Sequence, residues 1–147
     1  IRALNPRGVI LSGGPASVYQ ARAPKPDARL FDLNVPFLGI CYGLQVMVTH
    51  FGGRVVRSTK KEFGPADVSV VTQNGLFTGL PTTLPVWMSH GDAAENLPKG
   101  FVSLAKTDNA PYAACADLDK KLYGVQFHPE SILTEHGREI LKNWIET

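Results

Sequence analysis

Cysteine is scarce in this chain: Cys41 and Cys115 are the only two in 147 residues. Two thiols cannot build a disulfide framework, so the composition points to a reducing, cytoplasmic setting. No stretch approaches the roughly 18 consecutive apolar residues of a membrane span, and no signal-peptide pattern is visible. Lysine and arginine form no long run and the formal net charge is only +2. That balance gives no electrostatic footprint for nucleic acid. Internal repeats and low-complexity tracts are also lacking. What remains is 44% hydrophobic and 19% charged, the profile of one soluble globular domain over residues 1–147, too short for two ordinary ones.

The organising stretch is Val35 to Gln45. Phe37 to Ile40 reads as a short buried strand, and Leu44, Met47, Val48 and Phe51 follow at helical spacing. Between them lies Gly39-Ile40-Cys41-Tyr42-Gly43, of the form G-x-C-x-G. This is the thiol counterpart of a nucleophile elbow, in which glycines permit a tight strand-to-helix turn. A helix N-terminus beneath the sulfur favours thiolate. Alone, the motif also fits a buried structural cysteine.

The other elements follow by pattern. Gly8 to Ser12 reads as a strand buried in a parallel sheet, ending on Gly13-Gly14, whose N–H groups could face a ligand or an oxyanion. A short helix is expected near Ala28 to Leu33, and Gly52-Gly53 caps the elbow helix. Arg54 to Arg57 and Ala66 to Val71 read as strands joined by a charged loop, Ser58 to Pro65. Leu84 to Met88 is strand-like and runs into a polar loop, Ser89 to Asp92. Phe101 to Lys106 and Tyr112 to Ala116 are further short strands, and their frequent turns suggest an antiparallel segment. Leu122 to Phe127 is an apolar strand that delivers His128-Pro129-Glu130. Thr134 suits the N-cap of a last helix with Ile140, Leu141, Trp144 and Ile145 as its buried stripe.

His128 and Glu130 lie two apart at a strand end, so in extended geometry their side chains leave on one side. An imidazole to accept the thiol proton and a carboxylate to orient the imidazole are what a cysteine nucleophile needs. Cys41, the Gly13-Gly14 turn and His128 each follow an apolar strand, which favours catalysis over three unrelated structural roles. A metal site is the weaker alternative, because His128, His90 and Cys41 lack structural-zinc spacing. Cys115, Trp87 and Trp144 read as packing residues, His50 as a cation near a helix C-terminus, His136 as solvated and His90 as loop support.

Gly39 to Gln45, Ser12-Gly-Gly-Pro15 and Gly124 to Glu130, in this order and register, resemble the class I (triad-type) glutamine amidotransferases over essentially the whole chain. The resemblance implies a flavodoxin-like α/β fold: an open, mostly parallel sheet with flanking helices and a small antiparallel segment. It implies that Cys41 attacks the side-chain amide of glutamine, giving a γ-glutamyl thioester and ammonia, and that water then releases glutamate. His128 would be general base and acid and Glu130 its orienter. The oxyanion hole would be the N–H groups of Gly14 and Tyr42. Gln45, Ser89, Gly91 and Asp92 would hold the amino-acid end of the substrate, with no metal and no cofactor in this domain.

Within that family, Val86 to Asp92, Lys61 to Gly64 and Lys120 to Gly124 resemble the amidotransferase domains of GMP synthetases. There, ammonia passes to adenylylated xanthosine monophosphate made by an ATP-pyrophosphatase domain or subunit, which implies ATP and magnesium in that partner. Two features depart: Lys61 stands where arginine is usual, and Glu130 to Gly137 looks more like the small subunit of anthranilate or aminodeoxychorismate synthase. The Ser-His-Gly-Asp segment borders the expected site, which favours the first resemblance. A stand-alone γ-glutamyl hydrolase and a non-catalytic binding relative are the alternatives. Family domains begin with a strand and helix ahead of Ile1, so these are expected to be missing here.

Overall fold

The computed structural model describes all 147 residues and arranges them on one seven-stranded sheet in the order β1-β2-β7-β6-β5-β3-β4. β1 (Val9–Leu11), β2 (Phe37–Ile40) and β7 (Leu122–Val125) run parallel. β6 (Ala114–Asp117), β5 (Val102–Lys106), β3 (Arg54–Val70) and β4 (Thr83–Asn96) extend the sheet with antiparallel pairings. The expected α/β class stands, and the antiparallel part is larger than a small appended segment. From β4 onward the connections are too short for the crossover, of a dozen or more residues, that a parallel pair needs.

Every residue of β2 and β7 is buried, because helices cover both faces. α1 (Tyr42–His50) lies on one, where Met47 packs with Phe37 and Leu122. α2 (Gly137–Ile145) lies on the other, where Ile140 and Trp144 join the cluster containing Leu38, Ile40, Tyr123 and Val125. Two-sided burial explains why these strands are continuous apolar runs rather than alternating ones. β1 differs from its expected burial: it is the edge strand, with Ile10 exposed and its two neighbours half-buried. Residues Ala28–Leu33 form a 3-10 helix rather than a full α-turn series. No helix is long and apolar enough to cross a membrane.

Two expected loops are strand. Ser58 to Pro65 and Ser89 to Asp92 pair with each other in a long β3–β4 ribbon, with Glu62 opposite His90 and Phe63 opposite Ser89, after a register shift beyond Arg57. Their polarity suggested loops because a ribbon with one solvated face needs no apolar run. Its inward polar pair, Glu62 and His90, satisfies itself by hydrogen bonding. Thr134 is also not the N-cap of α2. That position is His136, in the left-handed conformation and with no side-chain capping bond, and Thr134 has other partners. Ile145 points outward and is exposed, so the buried stripe of α2 is Ile140 and Trp144, with Leu141 half-buried beside it.

Candidate active site

Cys41 occupies the single residue between β2 and α1. Its backbone is at φ 52, ψ −108, a region that costs a non-glycine residue on the order of 1–3 kcal/mol. The strain is therefore on the cysteine and not on the flanking glycines, whose role is close approach. A Cβ on Gly39 would lie 2.6 Å from the Leu44 nitrogen, and one on Gly43 would lie 2.0 Å from the Leu11 carbonyl oxygen. The turn is tied to the neighbouring strand by the Cys41 N–H, which donates to the Val125 carbonyl at 2.8 Å.

Val125 ends β7, and three residues later His128 comes to the same edge. Its N–H donates to the Trp87 carbonyl on β4 at 3.0 Å, and its Nδ1 lies 2.7 Å from Glu130 Oε1. The other ring nitrogen, Nε2, is buried without a hydrogen-bond partner. The Cys41 sulfur beside the ring raises the imidazole to about 9; burial opposes this and Glu130 assists it. The Cys41 sulfur also lies 3.4 Å from the Ser89 carbonyl, which can accept from the thiol. The ring and the β-carbon of Cys41 both press on Gly13, where a Cβ would meet His128 Cε1 at 3.0 Å and Cys41 Cβ at 3.4 Å. A cysteine beside an imidazole that is backed by a carboxylate can pass its proton to the ring and hold the resulting ion pair.

A cavity of about 510 Å³ opens over the sulfur. Gly14, Tyr42, Gln45, Ser89, Gly91 and Asp92 all line it together with Cys41 and His128; Glu130 stands behind the imidazole. Tyr42 opens α1, so its N–H has no carbonyl one turn earlier to bond, and the Gly14 N–H donates to no backbone carbonyl. The Gln45 amide is largely committed: its Nε2 donates to the Asp92 carbonyl at 2.9 Å and to Gln126 Oε1 at 3.3 Å, so only its oxygen is left for a ligand. Asp92 accepts a short hydrogen bond from Ser17 Oγ.

Residues with no sequence signal for this role also line the cavity, notably Ser17, Arg57, Lys61 and Phe63. The two cations project from what reads as an ordinary polar strand and a loop, and only the ribbon pairing brings them to the cavity. His90 supports this wall from behind. Its Nδ1 lies 2.9 Å from the Asp92 carbonyl and its Nε2 2.9 Å from Glu62 Oε2, while Thr107 Oγ1 donates to Glu62 Oε1 at 2.9 Å. A larger groove of about 810 Å³ runs along the ribbon between Lys61 and Asn109, and it contains neither Cys41 nor His128.

Fold and site define a class: an α/β sheet that presents a cysteine elbow and a histidine–carboxylate pair at one edge of a polar cavity. The particular family follows from sequence comparison. The model for glutamine amidotransferase class-I matches residues 1–147, and the chain belongs to that family. It is 52% identical over 145 residues to the GMP synthase [glutamine-hydrolyzing] of Aquifex aeolicus, covering 99% of this chain and 28% of that protein. The enzyme of the same name from Listeria innocua is 52% identical over 144 residues, covering 98% and 28%. The chain thus spans little more than a quarter of these relatives. Among solved structures, a Thermoplasma acidophilum protein provisionally described as one component of a GMP synthase superposes with a TM-score of 0.82 at 33% identity, over 95% of this chain and 71% of that one. A glutamine amidotransferase from Thermotoga maritima gives 0.77 at 29% identity, over 95% and 61%.

Proposed function

We propose that this chain hydrolyses the side-chain amide of glutamine and supplies the ammonia to a synthetase that converts xanthosine monophosphate to GMP. The observation that carries the first half is the alignment of Cys41, the buried free Nε2 of His128 and the 2.7 Å contact from His128 to Glu130 at one cavity wall. In this reading the Cys41 thiolate adds to the amide carbon, and the oxyanion is met by the N–H groups of Gly14 and Tyr42. Protonated His128 gives its Nε2 proton to the leaving nitrogen, ammonia departs and a γ-glutamyl thioester remains. His128 then takes a proton from water as it attacks the thioester, and the sulfur leaves as thiolate, releasing glutamate and restoring the thiolate–imidazolium pair. Glu130 holds the Nδ1–H throughout. The Asp92 carboxylate and the Gln45 oxygen, both acceptors, suit the α-ammonium of glutamine, with Ser89 and Gly91 shaping the wall between them. Arg57 and Lys61 suit its α-carboxylate.

The acceptor is inferred from the relatives, which are named as glutamine-hydrolysing GMP synthases. It implies that the partner is an ATP-pyrophosphatase, fused or separate, with ATP and magnesium bound there, and a cytoplasmic setting. Two measurements test the proposal. Intact mass spectrometry after incubation with an electrophilic glutamine analogue is expected to show one adduct on the wild-type chain and none on Cys41→Ala. Mixing with the pyrophosphatase part, ATP, magnesium, xanthosine monophosphate and amide-¹⁵N glutamine is expected to give ¹⁵N-labelled GMP. Ammonia release that survives Cys41→Ala refutes the mechanism; labelled ammonia without labelled GMP refutes the acceptor.

A further inference from the structure

The segment from His128 to α2 is fastened to β4 by a closed ring of three hydrogen bonds. The His128 N–H donates to the Trp87 carbonyl at 3.0 Å. The Trp87 N–H donates to Thr134 Oγ1 at 3.0 Å, and the same hydroxyl donates to the His128 carbonyl at 2.7 Å. Thr134 is only 6% exposed. One hydroxyl thus serves as acceptor and donor at once, which a single O–H can do and a methyl group cannot. Without it, the Trp87 N–H loses its acceptor, because the N–H and the carbonyl of Trp87 both face the segment from His128 to Thr134 rather than β3. The His128 carbonyl would keep one donor, the Ser131 N–H at 3.1 Å.

The opposite side of the segment is held by contact. Gly137, the first residue of α2, lies so close to Pro129 that a Cβ there would be 2.1 Å from the Pro129 carbonyl oxygen. Pro129 sits between the imidazole and the carboxylate, so the segment carrying both is gripped between α2 and the Thr134 hydroxyl. We infer that Thr134 is a positioning residue for the reaction, its hydroxyl fixing the backbone of His128 so that the imidazole stays beside Cys41, the two meeting over Gly13. Thr134 touches neither substrate nor sulfur and acts only through His128. The inference rests on the glutaminase reading above. Effective proton transfer needs heavy atoms within hydrogen-bond reach, so a small rotation of the His128 backbone costs rate at the chemical step more than affinity for glutamine.

Two variants in the full-length protein test it: Thr134→Val, which replaces the hydroxyl by a methyl of the same shape, and Thr134→Ser, which keeps it. Thr134→Val is expected to lower kcat for glutamine hydrolysis about tenfold, with KM for glutamine within about twofold of wild type. Alkylation of Cys41 by the electrophilic glutamine analogue should slow by a similar factor. Thr134→Ser should stay within about threefold of wild type in both measures. Wild-type kcat in Thr134→Val overturns the inference, as does Thr134→Ser falling as far as Thr134→Val, which would make the γ-methyl and not the hydroxyl the important group. A loss confined to KM overturns it too. Wild-type turnover that persists in Cys41→Ala would instead refute the glutaminase reading and this inference with it, so the two failures are distinguishable.

Discussion

Removing the Glu62 carboxylate tests how the cavity wall is held up. Glu62 and His90 are 8% and 3% exposed, and His90 is bonded at both nitrogens. Its Nδ1 faces the Asp92 carbonyl, which can only accept, so Nδ1 carries a hydrogen. Its Nε2 faces Glu62 Oε2 at 2.9 Å, so one more proton is shared between ring and carboxylate. Thr107 Oγ1 occupies the other carboxylate oxygen. Glu62→Ala leaves Nε2 and the Thr107 hydroxyl facing a void, and breaking a buried pair in this way costs about 3 kcal/mol or more. Glu62→Gln is different. Its amide oxygen can accept from Thr107 and its N–H can donate to Nε2 of a neutral ring, so its cost should stay below about 1 kcal/mol. Urea unfolding followed by fluorescence reads this well, since Trp87 lies on β4 itself. With a slope of about 2 kcal/mol per molar, the midpoint should fall by about 1.5 M for Glu62→Ala and by less than about 0.5 M for Glu62→Gln. The Asp92 carbonyl is also the anchor of Gln45, so KM for glutamine should rise in Glu62→Ala. Equal midpoints for Glu62→Ala and wild type would refute the reasoning, as would equal losses in the two variants.

Because the Cys41 sulfur is the leading cause that lifts His128 to about 9, Cys41→Ala should bring the imidazole down towards or below its ordinary 6.5. Glu130→Gln should lower it less; an NMR titration of the ring Cε1–H separates the two, and an unchanged value in Cys41→Ala would contradict the assignment. The sign for stability follows: the folded value is raised, so the contribution of the imidazolium is fully present below about 6.5 and is lost as pH rises through about 9. Gly43→Ala places a Cβ 2.0 Å from the Leu11 carbonyl oxygen. Since that contact needs more than 3 Å, α1 must withdraw from β1 by over 1 Å, at a cost of about 1–3 kcal/mol. Thermal unfolding and the rate of Cys41 alkylation should both register the change.

Much of the site was legible because each of its parts follows an apolar run. Phe37 to Ile40 and Leu122 to Phe127 are buried on both faces, so their strand character and their ends could be read without a partner. Cys41 and His128 then inherited their positions from those ends. Long-range pairing was less visible. Ser58 to Pro65 and Ser89 to Asp92 carry turn-like and charged residues, and only their mutual register turns two apparent loops into one ribbon. That register also brings Arg57 and Lys61 to the cavity, so neither could be picked from local pattern. Thr134 was misread for a related reason. A threonine shortly before a helix looks like a cap, and nothing local shows that its hydroxyl is already taken by Trp87 and His128.

The glycines around the site mark distances rather than unusual dihedrals. Gly13, Gly39, Gly43 and Gly137 all lack a positive φ, whereas Cys41 has one. At each of the four, a Cβ would meet another segment of the site or its support at 3.0 Å or less: His128 for Gly13, the start of α1 for Gly39, β1 for Gly43 and Pro129 for Gly137. A strained turn at Cys41 can persist only where the surroundings over-determine it, and these contacts supply that constraint. β1 and β7 hold the elbow from two sides, through Gly43 and through the Cys41 N–H bond to Val125. α2 and Thr134 hold the histidine segment from two others. At the elbow, strain thus falls on the residue whose side chain must stand clear of the sheet, and the residues that let its neighbours close in are those with no side chain to obstruct them.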